Sequence, residues 1–142
     1  MAAVAYGSFA LSLAKGDIDF DTATIKVALT TSAYTPNVDT HDFFDDVTNE
    51  LSTGGGYTAG GATLASVTST YDAANNRVVI DAADPSWPAA TFTCRSAVFY
   101  VSTGVAGTSR LISCHTFDAD QTVTANTFTL ILDALGILTI TV

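Results

Sequence analysis

Positive charge is what this chain has least of. Five basic residues (Lys15, Lys26, Arg77, Arg95, Arg110) stand against 14 acidic ones, for a formal net charge of -9. Such a surface repels phosphate backbones and no Lys/Arg cluster offsets it, so no nucleic-acid partner is expected. The same repulsion argues against anionic membranes. Acidity here serves to keep a chain of 48% hydrophobic residues soluble. Long apolar runs are also missing, since none reaches the roughly 18 residues of a membrane helix. The opening MAAVAYGSFALSLAKG lacks the basic start of a secretory signal. Cysteine is limited to Cys94 and Cys114, both in expected strands. Cross-strand proximity is open to them, but spacing alone does not supply the close approach a disulfide needs. Without an export signal, two free buried thiols are the expectation.

Catalytic machinery is equally sparse. The chain has two histidines, His41 and His115, and no G-x-S-x-G elbow. His115 lies in a strand on the face opposite Cys114, which predicts a surface or interface position. His41 sits between Asp39 and Asp42 in a turn, where solvation is the ordinary state. Asp39, Asp42, Asp45, Asp46 and Glu50 form the densest charge cluster, a donor set a hard cation favours. Their spacing does not follow a calcium loop, and Phe43-Phe44 interrupts them, so no metal is expected. No two acids stand out as a glycosidase pair. Gly54-Gly55-Gly56-Tyr57-Thr58-Ala59-Gly60-Gly61 looks like a phosphate loop, yet no lysine follows and a strand pattern succeeds it. It reads as a tight or mobile loop around Tyr57. We expect no enzymatic activity and no cofactor.

What is present is strand. At 142 residues, with 13% charged, the chain is one folded domain spanning 1–142, large enough to bury roughly 70% of its unfolded surface. Tyr6, Phe9, Ala10 and Leu13 recur at helical spacing before Gly16, while Phe9, Leu11 and Leu13 also alternate as in a strand. Ile25, Val27 and Leu29 alternate with Thr24, Lys26 and Ala28, predicting a strand with one wet face. Tyr34-Thr35-Pro36-Asn37 ends it. Thr40 is placed to cap a helical turn over His41–Val47, with Phe43, Phe44 and Val47 folding back on the sheet. Strands are expected at Leu64–Tyr71 and Arg77–Asp81 around an Asp72–Asn76 turn. After a Pro85–Pro88 corner come Thr91–Val101, Arg110–Phe117, Thr127–Leu132 and Gly136–Val142.

Phe92, Cys94, Val98 and Tyr100 would share one face, with Ile112 and Cys114 on the next strand and Phe128, Leu130 and Leu132 on the one after. Arg95 faces solvent or a partner. The final apolar strand belongs inside a sheet or against another chain. The fold class is therefore all-β: a single-domain antiparallel β-sandwich or barrel with one or two short helices in the N-terminal third.

One further reading comes from resemblance. The segments Asp19-Phe20-Asp21-Thr22-Ala23-Thr24-Ile25-Lys26-Val27-Ala28-Leu29 and Ser32-Ala33-Tyr34-Thr35-Pro36 carry it first. Asp39-Thr40-His41-Asp42-Phe43-Phe44-Asp45-Asp46-Val47-Thr48-Asn49-Glu50 and Gly56–Gly61 follow. Later come Tyr71-Asp72-Ala73-Ala74, Trp87 and Asp133-Ala134-Leu135-Gly136-Ile137-Leu138-Thr139. Together they resemble a family of small β-rich virion proteins of tailed bacteriophages. The resemblance implies a capsid decoration (cement) protein, made in the host bacterial cytoplasm, that sits on the virion exterior and bridges subunits of the phage major capsid protein. It implies a homo-oligomer, with a trimer favoured, and no catalytic residue. A head–tail connector, tail or fibre component is the alternative within the virion, and a carbohydrate-binding module resting on Trp87, Tyr57 and the acids is the alternative outside it. The residues expected to make protein contacts are Tyr34, Phe43, Phe44, Tyr57, Trp87, Ile137, Leu138, Ile140 and Val142. Core packing is the competing role for each.

Overall fold

The computed structural model describes residues 2–142. Eight strands and one helix follow in order: β1 (Ala2–Ala5), α1 (Gly7–Lys15), β2 (Ile25–Thr30), β3 (Ala62–Thr63), β4 (Thr68–Asp72), β5 (Arg77–Asp81), β6 (Ser86–Val101), β7 (Leu111–Thr129) and β8 (Leu138–Thr141). A five-stranded antiparallel sheet has the order β1-β7-β6-β2-β3, and a three-stranded one the order β4-β5-β8. This is the expected all-β fold with a short helix near the N-terminus.

The helical reading of residues 6–16 holds. Gly16 adopts the left-handed conformation (φ 75) and its N–H closes the last turn on Leu13 O. Phe9 is buried and stacks obliquely on Phe20. Ala10 is exposed, and Ser12 takes the inward place, its hydroxyl accepting from Arg110 Nη1 at 3.0 Å. Strand β1 went unforeseen because four small residues carry no readable alternation. It lies fully exposed along β7, with Ala3 opposite His115.

β2 has no wet face. Ile25, Val27 and Leu29 join the core between the sheets, together with Ile80, Phe99, Ile112 and Ile137. Ala28 joins a second cluster on the opposite face, with Tyr6, Tyr34, Val98, Tyr100, Leu111 and Cys114. The chain from Thr31 to Val47 folds back over that face, so a small Ala serves where a polar residue would otherwise stand. The expected helical turn shrinks to a 3-10 turn, Phe44–Asp46. Asp46 anchors it in place of Thr40, its carboxylate accepting from the N–H groups of Asp42 and Phe43 at 2.8 and 3.0 Å. These two bonds hold the Asp46 carboxyl below its ordinary range.

β6 and β7 form one long hairpin. The Pro85–Pro88 corner is really its start, with Trp87 opposite Phe128, and the two strands expected from Arg110 to Leu132 are mostly a single β7. Irregularities explain the difference. Ser96 pairs with Thr116 but Cys94 with Gln121, so five steps of β7 oppose two of β6. Arg95 sits at this bulge, with Nη1 3.2 Å from Asp120 Oδ1 and Nη2 donating to Asp118 O at 3.3 Å. The bulge also flips the pleat, which overturns the single core layer expected from alternation. Phe92 and Cys94 face the main core, whereas Val98, Tyr100 and Cys114 face the second cluster. Cys94 and Cys114 therefore point to opposite sides of the sheet, and both are free and buried.

Candidate contact surface

The residues marked for outside contact are mostly structural. Tyr57 is 2% exposed, at the centre of the glycine loop. Its hydroxyl donates to Glu50 Oε1 at 2.7 Å and accepts from the Leu29 N–H at 3.0 Å, while Glu50 Oε1 also takes the Gly60 N–H. One phenol thus ties β2 to the loop, and burial raises its pKa well above the ordinary tyrosine value. Trp87 is 5% exposed and packs among Tyr57, Phe92 and Phe128. Neither ring is available to stack on a sugar from solvent.

Tyr34 and Ile137 are also buried. Phe44 lies half-buried and stacked on Tyr100 at 4.1 Å, and Phe43 holds Arg110 over its ring at 5.4 Å. Leu138 and Ile140 are half-buried in β8, which pairs with β5 and, among the described residues, has no strand on its other edge. Val142 alone of the nine is largely exposed. These positions converge on no single surface.

The groups suited to chemistry are likewise engaged. Among the described residues, no three His, Cys, Asp or Glu side chains are placed to hold a metal. Asp46 caps its turn and Glu50 faces inward, which disperses the acidic cluster. The glycine loop runs along the edge of β6, where the Thr91 N–H donates to Gly55 O at 2.9 Å. Gly61 is the tightest point: at φ 71, an added Cβ would come within 1.9 Å of Val27 O. The loop packs closely at Gly55, Gly56 and Gly61, whereas Ala59 and Gly60 line a cavity of about 260 Å³ beside Lys26 and Tyr100.

His115 is not a surface residue. It is 3% exposed, donates from Nε2 to Ile137 O at 2.8 Å and packs on Phe99, and its Nδ1 is buried with no partner. Burial lowers its pKa. Ser113 Oγ donates to the same carbonyl, so two β7 side chains pin the entry to β8.

What remains outside is the upper hairpin, Ser86–Arg95 against Phe117–Thr129. Its inner face carries Trp87, Phe92, Val123 and Phe128 towards the core. Its outer face is small and polar, with Thr93 and Thr122 sharing a hydroxyl bond at 2.9 Å. β1 pairs with β7 only as far as Thr116, so the outer edge of β7 beyond it has no neighbouring strand among the described residues. The bulge at Arg95 and a second irregularity near Ala125 (φ 47) break the regularity of that edge. Bulged, acid-bearing edges resist indiscriminate strand pairing. Sequence reasoning missed this face because alternating Thr residues look the same on any exposed strand. No protein-family model, curated protein or solved structure matches the chain.

Proposed function

We propose that this chain is a non-enzymatic structural protein of a tailed-phage virion, and specifically a capsid decoration protein. In this reading it binds the outside of the head and bridges major capsid subunits. The observation that carries the non-catalytic part is the fate of the polar groups. Tyr57, Glu50, Asp46, Tyr6 and Tyr34 spend hydrogen bonds on the fold, and His115 commits its Nε2 to the Ile137 carbonyl. The phage part rests on the resemblance carried by the segments from Asp19 to Thr139 named above, supported by an acidic surface suited to a position outside packaged DNA.

A rigid two-sheet domain laid across a subunit boundary adds contacts that must break before the subunits part. The outer face of the upper β6–β7 hairpin is the surface we assign to that contact, because it is broad and polar and leaves the core covered. A carbohydrate-binding role loses its support with Trp87 and Tyr57 inside.

Copy number in purified virions tests the proposal. Hundreds of copies on the shell are expected, and six to twelve would move the protein to the neck or tail. Stripping it from heads should also lower the temperature of DNA release, and an unchanged temperature would end the cementing role.

A further inference from the structure

The cavity beside Ala59 and Gly60, about 260 Å³ in volume, carries the charge that the rest of the chain lacks. Lys26 lines it and, among the described residues, no aspartate or glutamate does, in a chain of net charge -9. The β2–β6 register sets Lys26 directly opposite Tyr100, on the face of the sheet that holds the second cluster. Gly60 locates the head of the lysine. A Cβ built there would lie 3.4 Å from Lys26 Nζ and 3.7 Å from Tyr100 Oη, so the absent side chain leaves the space before the ammonium open.

Lys26 is half-buried, yet among the described residues no hydrogen bond or ion pair holds its ammonium. Each arginine, by contrast, has a carboxylate: Arg77 has Asp72, Arg95 has Asp120 and Arg110 has Asp17. The neighbouring acids are committed elsewhere. Glu50 accepts from Tyr57 and from the Gly60 N–H, and Asp45 lies against Gly107, outside the lining.

The supply of donors decides the charge of a ligand. Tyr100 Oη donates to Gly60 O at 2.6 Å, and Ser109 Oγ to Val105 O at 2.8 Å. The N–H groups of Ala59, Gly60 and Val105 are taken by Thr53, Glu50 and Thr103. Ser102 Oγ accepts from the Gly104 N–H, and its own hydrogen has no acceptor among the described residues. Lys26 Nζ and that hydroxyl are therefore the side-chain donors left to the cavity. A phosphate dianion needs a cradle of several N–H groups. One ammonium and one hydroxyl match the two oxygens of a carboxylate. Glu50, behind Gly60, further disfavours a second negative charge.

The walls select the body of the ligand. Phe44 stacks on Tyr100 with centroids 4.1 Å apart, and Val105, 61% exposed, stands at the mouth. The volume falls just short of the roughly 300 Å³ at which drug-sized pockets begin, so the ligand is small. We propose that this cavity binds a free organic monocarboxylate with a flat apolar body. Its oxygens meet Lys26 Nζ and Ser102 Oγ, and its body lies against Phe44 and Val105. An acidic side chain of a partner protein offers the same oxygens on a short stem, with too little apolar surface to use that wall. The competing role for Lys26 is a solvated lysine whose stem covers Tyr100. The site does not depend on the capsid reading.

Benzoate, titrated into the isotope-labelled full chain and followed by NMR, tests the proposal. Saturating shifts at the Gly60, Gly104, Val105 and Ala106 amides are expected, with a Kd on the order of 1 mM for a ligand of this size. Benzyl alcohol keeps the ring without the charge. It should bind at least about ten-fold more weakly, the effect of losing a charge-assisted hydrogen bond. Lys26→Met keeps the stem over Tyr100 and should weaken benzoate by a similar factor, while Ser102→Ala should cost about three- to ten-fold. Lys15→Met removes the same charge from the exposed end of α1 and should change nothing. Inorganic phosphate and N-acetylglutamate methylamide stand for the other occupants. Tighter binding of either than of benzoate would overturn the free-acid assignment, the second in favour of a protein side chain. The proposal also fails if no shift saturates, or if benzyl alcohol binds as well as benzoate. Equal effects of Lys26→Met and Lys15→Met would reduce Lys26 to a solvated surface charge and end it too.

Discussion

At the scale of single residues, much of the stretch from Asp19 to Gly61 has a mechanical explanation. Tyr57 stands out in the sequence by its glycine setting, and the structure turns it inward as donor to Glu50 and acceptor from Leu29. Nothing in the sequence shows that Glu50, seven positions earlier, is its partner, because such a pairing is made by the path of the loop. Tyr57→Phe leaves the ring and removes both bonds, exposing Glu50 and the Leu29 N–H to an apolar neighbour. A loss of about 1–3 kcal/mol is expected, measurable by urea unfolding. Gly61 allows a sharper contrast with Gly16. Both have positive φ, but a Cβ at Gly16 meets nothing within 4 Å, whereas one at Gly61 collides with the Val27 carbonyl. Gly16→Ala should cost about 1–2 kcal/mol from backbone conformation alone. Gly61→Ala should cost well beyond that or prevent folding, and comparable denaturation midpoints for the two variants would refute the tight-approach account.

At the scale of elements, alternation located most strands and failed where two physical facts intervened. β2 reads as half-wet because Ala28 and Lys26 interrupt its apolar residues, yet its second face is covered by a loop whose route local periodicity does not encode. β7 reads as two strands because Asp118-Ala119-Asp120-Gln121 lacks apolar alternation, although a bulge carries the chain through it. The same bulge defeated the assignment of Cys94 and Cys114 to one layer, since an extra residue exchanges the faces beyond it. Arg95 holds this irregularity, and its bonds to Asp120 and to the Asp118 carbonyl belong to the upper hairpin alone. Its side chain is 34% exposed and that of Asp120 48%, so the ion pair itself contributes at most about 1 kcal/mol. Arg95→Ala should therefore leave global stability nearly unchanged. Hydrogen exchange should nevertheless quicken across Phe117–Val123 and stay slow across Leu111–Cys114. Uniform loosening of both halves would show that the bulge is not a separate unit.

At the scale of the whole molecule, a strongly acidic chain folds around a core that holds one histidine neutral. His115 fastens the entry to β8 by donating from Nε2 to the Ile137 carbonyl, and its Nδ1 has no partner to welcome a second proton. Burial lowers its pKa against the smaller opposing pulls of the Ile137 carbonyl and Asp133. The sign of the linkage follows. Below the ordinary histidine value near 6.5, the unfolded chain binds a proton that the native state refuses, so stability falls as the solution is acidified through that value. The slope for one such group cannot exceed about 1.4 kcal/mol per pH unit. Asp46, held below the ordinary carboxylate range, adds a further loss only at more acidic pH, where the unfolded carboxylate takes up a proton before the native one does. The two contributions therefore separate on the pH axis. His115→Phe keeps a ring against Phe99 and leaves Ser113 to hold the Ile137 carbonyl, so the variant should fold. It should be less stable than the wild type at pH 7.5, having lost a hydrogen bond, and its stability should change less between pH 7 and 5. Chemical denaturation at half-unit pH intervals reads both effects. Parallel pH profiles for the two proteins would mean that the acid sensitivity of the fold lies elsewhere than in the histidine beneath β8.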